Sequence, residues 1–405
     1  MHAPTKPQPA DIRHFDWRLL VPLLIHVIFT HIVIAVVRVS TSYRSVELDL
    51  NVMWLGAISA AFAILPVFVA LKVGRFIDRG YDAHAAWIGG IMMLVASICL
   101  WLWPISAWHL FFFTVLLGTG HMFLMAAQQM LTLRSSSAAR RESAFGYFMV
   151  AISAGQGLGP LIIGWVGRGT TVPPTGELFV IGVVAAVLCL AFALALRPQP
   201  PAARRIAEGP LMPVMTLLRV PGLLPILLAS VVTVTASDLL IIYLPLLGAE
   251  RHIDASHIGF LLLAKSVAAL IARAFYARLI YAVGRRPLTL GSALFSAGAF
   301  LLLAVPSLPA MYVAAIAIGL GLGIASTLTL SGVAEYSPPQ ARGTAMSLRI
   351  TGNRLGLVLM PFVAGIVAAG AGVLAIFMLN ALTLAACAIA LQRGPRPNTG
   401  LPPQA

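Results

Sequence analysis

Six ionisable side chains stand inside long apolar runs: Arg38, Asp238, Lys265, Arg273, Arg349 and Arg354. An ionisable residue in such a run costs about 2.5–3.5 kcal/mol to place in a membrane and is a functional candidate by default. All but Asp238 are basic. A low-dielectric cleft with excess positive charge attracts an anion. A guanidinium suits a planar carboxylate because its fork can make two parallel hydrogen bonds.

Helical rise gives rough depths within the runs. Arg354 lies ~16 Å from one end of its run, Lys265 ~14 Å from the end of its own, and Asp238 ~25 Å along a third. These three form the expected midplane set. Arg38 lies near the end of the first run, as an entrance guard or an interfacial anchor. Arg273 lies near the end of its run, as an anchor or an inner-gate residue. Arg349 and Arg354 are ~140° apart around one helix, so both cannot face one cavity equally; depth favours Arg354. Lys265, Arg354, Arg38 and Arg349 are the candidate substrate-binding residues. Asp238 and His121 are the candidates for proton coupling, with two plainer readings beside them. Asp238 could neutralise Lys265, and His121 could be a packing residue, as His26 and His31 could be. Gln128 and Gln129 read as hydrogen-bonding groups between helices.

The elements that position these groups follow from composition. The chain has 405 residues, 60% hydrophobic and only 10% charged, with mean hydropathy +0.94. A soluble protein carries about 25% charged residues. The balance describes an all-α polytopic protein of the cell membrane. The net charge of +14 sits in short clusters between the runs, with no aromatic-interleaved basic face, so nucleic acid is not an expected partner. Cys99, Cys189 and Cys387 each lie inside a run, so neither a disulfide framework nor a metal site is expected. No paired carboxylates, Ser/His/Asp set or metal-ligand cluster appears in any loop, so the reading is of a non-enzyme without cofactor. The first eighteen residues are polar and the run after them is too long for a cleavable signal.

Allowing roughly 20 residues per crossing, twelve spans are expected: 19–41, 50–72, 83–104, 107–131, 143–166, 177–196, 221–248, 256–277, 287–305, 308–331, 343–369 and 372–392. The longest polar connection, "RPQPPAARRIAEGP" from Arg197, divides the chain. Residues 1–196 form one six-helix half, 197–220 a central cytoplasmic linker and 221–405 the second half. Lys and Arg crowd alternate loops, while the opposite loops hold only Arg44, Arg168 and Arg251. The positive-inside rule then puts both termini in the cytoplasm.

The halves repeat. "RESAFGYFMVAISAGQGLGP" from Arg141 aligns without a gap with "RGTAMSLRITGNRLGLVLMP" from Arg342, and the preceding loops "RSSSAARR" and "EYSPPQAR" align too. "GRFIDRGYD" from Gly74 aligns with "ARLIYAVGRR" from Ala277. Two like-oriented halves imply a pseudo-twofold axis along the membrane normal and a site between them. Arg349 and Arg354 align with Phe148 and Ser153. Symmetry therefore does not require their charge, and chemistry is the better reason for it.

Over its whole length the chain resembles the Major Facilitator Superfamily. That family carries a G-x-x-x-D-R-x-G-R-R loop after span two. Gly74, Asp78 and Arg79 match its beginning, and Arg285 and Arg286 match its ending in the second copy. The resemblance implies a conformational latch there, with Asp78 meeting the start of span eleven. It also implies that spans three, six, nine and twelve face lipid; apart from Glu177 at the very start of span six, none of them carries Asp, Glu, Lys or Arg. "GQGLGPLIIG" resembles the family's span-five signature, with Gly155, Gly159 and Pro160 as packing positions. The function implied is alternating-access secondary transport by a monomer. The favoured cargo is a small organic anion coupled to protons. The alternative is proton-driven export of drugs or lipophilic cations. A sensor built on the same fold would need a larger soluble part.

Overall fold

The computed structural model describes residues 15–78, 80–136, 141–198, 214–338 and 342–393. Among them are thirteen helices: α1 (Trp17–Glu47), α2 (Val52–Asp78), α3 (Asp82–Leu102), α4 (Ala107–Arg134), α5 (Arg141–Val166), α6 (Thr175–Ala195), α7 (Val214–Leu218), α8 (Leu223–Glu250), α9 (Ala255–Val283), α10 (Arg285–Leu302), α11 (Leu308–Tyr336), α12 (Arg342–Ala371) and α13 (Val373–Arg393). The described residues contain no strand, only an isolated bridge between Phe15 and Ser136. Lipid offers the backbone no hydrogen-bond partners, so each apolar segment must satisfy its own amides as a helix. Eleven helices are long and apolar enough to cross a membrane. The expected span at 287–305 is the exception. It forms α10, but that helix begins at Arg285-Arg286-Pro287 and its charge lowers the apolarity of its 18 residues.

The first run also departs from expectation. Hydropathy ends it near residue 41, which leaves Arg38 at its edge. The helix instead continues to Glu47. Hydroxyls carry it through the polar stretch by bonding back one turn: Ser40 to the Val36 carbonyl at 2.7 Å, Thr41 to that of Arg38 at 2.7 Å and Ser45 to that of Thr41 at 2.8 Å. Tyr43 is fully buried beside them. Arg38 therefore lies in the interior, with its side chain only 10% exposed.

Helices α1–α6 pack mainly among themselves, as do α8–α13. Contacts at the helix ends define two faces. On the near face, where α1 begins, Asp16 donates its amide to the Ser135 carbonyl at 2.9 Å. On the far face, Thr175 donates to Glu47 at 2.6 Å and Arg44 to the Pro104 carbonyl at 2.9 Å. Helices α3, α6 and α13, with charge only at their ends, present apolar stripes outward: Ile88, Ile91 and Val95 on α3, Val180, Val184 and Val187 on α6, and Met378, Leu382 and Ile389 on α13.

The two sets meet along two pseudo-symmetric seams, α5 against α9 and α2 against α12. A Cβ on Gly259 would meet the Pro160 carbonyl oxygen at 2.5 Å, and one on Gly56 would collide with that of Pro361. Glycine is required at both places because backbones touch there. Gly155 and Gly159 instead seat α5 on α1, against Ile28, His31 and Ala35.

Each set is also tied at the near face by one ion pair from the start of its third helix to the end of its fourth. In the first it is Asp82 with Arg134; in the second, Arg285 with Glu335 at 2.7 Å. These positions correspond in the repeat, so the same bond is made with its charges exchanged. Asp82 is fully buried. Asp82→Asn should therefore lower the thermal unfolding midpoint in detergent, at a cost of about 2–3 kcal/mol, because it strands a charged partner. Asp82→Arg combined with Arg134→Glu, the polarity of the second set, should recover most of the loss. Recovery no better than either single change would show that local shape matters more than charge.

Of the expected latch, Arg285 and Arg286 bond within the second set, Arg286 to the Gln392 carbonyl. Gly74 has open space beside it. Asp78 ends α2, but its side chain, like all of Arg79, lies outside the described residues.

Candidate functional site

Between the two sets lies a cavity of about 570 Å³ that runs from mid-helix to the near face. α9 faces it with one stripe, Leu262, Lys265, Ser266, Ala269 and Arg273, and α12 with another, Ile350, Thr351, Asn353, Arg354 and Leu357. Both stripes keep the spacing of one helical face. Arg354 is on the wall and Arg349, 140° away, is not. Lys265, Arg354 and Asp238, expected at mid-depth, are brought together here, and so are Arg38, expected near the end of its run, and His121.

Asp238 does not pair with Lys265. Arg38 reaches it from α1 through both terminal nitrogens, at 2.5 and 2.9 Å. The Arg38 guanidinium also lies over the Phe62 ring, 4.5 Å from its centre. This pair joins α1 to α8 and so joins the two sets. Lys265 donates instead to the Ser237 hydroxyl at 2.7 Å. Among the described residues Arg273 and Arg354 meet no carboxylate, and neither does Lys265. Among the described residues Asp238 is the only acidic one on the wall. The positions in the first set that correspond to Lys265, Arg273 and Arg354 are Phe62, Ala70 and Ser153. The uncompensated charge therefore belongs to one wall.

The histidines divide. His31 and His121 line the cavity, edge to face at 5.9 Å. His31 donates from Nδ1 to the Val27 carbonyl at 3.0 Å, while both ring nitrogens of His121 are buried without a partner. His26 lies away from the cavity and bonds the Cys189 carbonyl at 2.9 Å. Gln128 donates to Thr30 at 2.8 Å in the same buried cluster, whereas Gln129 faces the cavity. Arg273, expected as an anchor or an inner-gate residue, also lies on the cavity wall. The signal was present: Arg273 is eight residues, or about 80°, from Lys265 on the same helix.

Among the described residues, every hydrogen bond between the two sets lies at mid-depth or on the far side. Besides Arg38–Asp238 they are Ser266 to the Gln156 carbonyl at 3.5 Å, the Gly169 amide to Asp254 at 2.6 Å and the Ala255 amide to the Thr170 carbonyl at 2.6 Å. Among the described residues, these bonds close the far side, while the cavity reaches toward the near face. Asp254 caps α9 and grips the loop after α5. Partial burial would raise its pKa, but the hydrogen bonds from Ser256 and Gly169, with nearby His257, hold it below the ordinary carboxylate value. That contribution is present above the ordinary carboxylate range and is lost as pH falls through the lowered value. Asp254→Ala should loosen this closure by about 1 kcal/mol, the usual worth of a helix cap, and speed amide exchange in the 167–175 loop about fivefold. Unchanged protection there would locate the closure in the glycine seams alone.

The comparisons agree with this architecture. The Major Facilitator Superfamily profile matches residues 14–246 and 226–405. A 135-residue segment is 29% identical to the di-/tripeptide transporter of Lactococcus lactis subsp. lactis and covers 31% of this chain. The chain thus spans only 27% of the length of that relative. Among solved structures, the nucleoside transporter NupG superposes with a TM-score of 0.77 at 14% identity, over 92% of this chain and 99% of that one. A POT family transporter bound to a thioalcohol-conjugated peptide gives 0.76 at 12% identity, over 92% and 95%. A bacterial homolog of the human lysosomal transporter Spinster, inward-facing and occupied, gives 0.75 at 14% identity, over 92% and 96%. With profile matches along nearly its whole length and a shared two-bundle fold, the chain is a multi-pass membrane protein, not an enzyme, and belongs to the Major Facilitator Superfamily of transporters.

Proposed function

We propose that this protein carries a small organic anion by proton-coupled alternating access. One observation carries the reading: among the described residues three cations on the cavity wall lack a carboxylate, and the one wall carboxylate, Asp238, is already held by Arg38. Lys265 and Arg354 bind the anion. Arg38 and Asp238 form the far-side lock, since they connect α1 to α8. Protonating Asp238, or giving Arg38 an anion to hold, releases the lock and lets the far side part. His121 is the second group available for a proton. A lipophilic cation would find only Asp238, already occupied, so the exporter reading has less support.

The membrane layout belongs to the same proposal. Twelve helices cross, α10 included, with the basic near face and both termini in the cytoplasm. Residues 1–196 and 221–405 rock as two bodies about the cavity, joined by 197–220, and Asp78 latches the near side when it shuts. One chain holds a complete cavity and acts as a monomer. The direct test is purified protein in liposomes, assayed for exchange of labelled carboxylates. Carboxylate exchange is the expected result. Drug resistance that depends on Asp238, without any carboxylate exchange, would replace this reading with the exporter one.

A further inference from the structure

The three unpaired cations lie on two levels. Lys265 and Arg273 share one face of α9, eight residues apart, which is ~12 Å of rise. Arg354 and Lys265 both lie within electrostatic reach of Asp238, whereas Arg273 lies near Lys265 alone. Lys265 and Arg354 thus share the deeper level, and Arg273 stands alone about two turns closer to the near face. Between Lys265 and Arg273 the α9 wall carries Ser266 and Ala269, and much of the cavity lining beside them is apolar, including Met122, Met125 and Leu322.

A single carboxylate cannot reach both tiers. It would leave at least one level of positive charge uncompensated in a low-dielectric cleft, where an unpaired charge is costly. A molecule with an acidic group at each end meets both levels and lays its carbon chain along the apolar wall. Resting on the anion reading above, we infer that the substrate carries two acidic groups held apart by an apolar chain, a dicarboxylate or its chemical equivalent. Lys265 and Arg354 take one end; Arg273 takes the other. Arg273 is then a specificity residue, the one that distinguishes two charges from one.

The experiment uses the full-length protein in detergent and follows thermal unfolding by tryptophan emission. Succinate, glutarate and adipate are compared with their monomethyl esters at equal ionic strength. Each pair shares its carbon chain and differs by one charge. A bound ligand stabilises the folded protein in proportion to its affinity. At least one diacid should act at a concentration about tenfold below its monoester, the usual scale for a lost desolvated charge contact. Arg273→Gln and Lys265→Gln should each shrink that preference. Equal potency of diacid and monoester in the wild-type protein overturns the two-group inference while leaving the anion reading standing. A diacid preference that survives intact in both variants overturns it as well. If no carboxylate stabilises the protein, the anion reading falls and this inference with it. Should either variant fail to fold, the wild-type comparison decides alone.

Discussion

Arg354→Ala should abolish carboxylate exchange in liposomes. Arg354 faces the cavity without a carboxylate partner, so its charge is free for substrate. Truncating one side of a buried, hydrogen-bonded charge pair costs about 2–5 kcal/mol, and its middle value weakens binding roughly several-hundredfold. Arg354→Lys keeps the charge but loses the planar fork, so an intermediate loss of about tenfold is expected. Arg349→Ala provides the comparison. It removes an equal charge five residues away on the same helix, off the cavity stripe, and should weaken exchange far less. The measurement is initial exchange rate against substrate concentration. If Arg349→Ala proves the more damaging, the two arginines have been assigned the wrong way round.

The second large effect concerns coupling. Asp238→Asn preserves shape but removes the charge that holds Arg38 across the two sets. Breaking a buried pair by neutralising one partner costs about 3–5 kcal/mol in the state that contains it. If the pair is the lock proposed above, it breaks when the far side parts. The variant should therefore shift toward far-side opening, by a factor of roughly a hundred or more if that state bears the full cost. Two readouts follow. Exchange down a substrate gradient should persist, while stimulation by an imposed pH gradient should vanish. Hydrogen exchange at the far-face end of α1 should rise. The double variant Arg38→Gln, Asp238→Asn removes both charges and should restore part of the closure without restoring the coupling. Undiminished proton stimulation in Asp238→Asn would move the proton site elsewhere, and His121 is the next candidate on the wall.

Much of the candidate site was legible in sequence because the membrane penalises charge so heavily. Arg38, Asp238, Lys265 and Arg354 stood out as exceptions in apolar runs, and all four line one cavity. Arg273 stood out as well, yet its place near the end of a run suggested an anchor. Its face of the helix, shared with Lys265, decided otherwise. The end of α1 was misplaced because hydropathy scores Ser40, Thr41, Ser42 and Ser45 as polar. Their hydroxyls can nevertheless bond back to carbonyls a turn earlier and remain helical inside a protein.

The sequence by itself determined the helices, the basic bias of alternate loops and the twofold repeat. Each follows from local chemistry: backbone satisfaction in lipid, the charge of short loops, and residues recurring at a fixed offset. Only the tertiary structure decided that Asp238 answers to Arg38 and not Lys265, that Arg354 and not Arg349 faces the cavity, and that the far side is shut. Periodicity fixes the angle between two residues on one helix. It does not fix how that helix is rotated against its neighbours, and pairing between α1 and α8, some 200 residues apart in the chain, depends on that rotation.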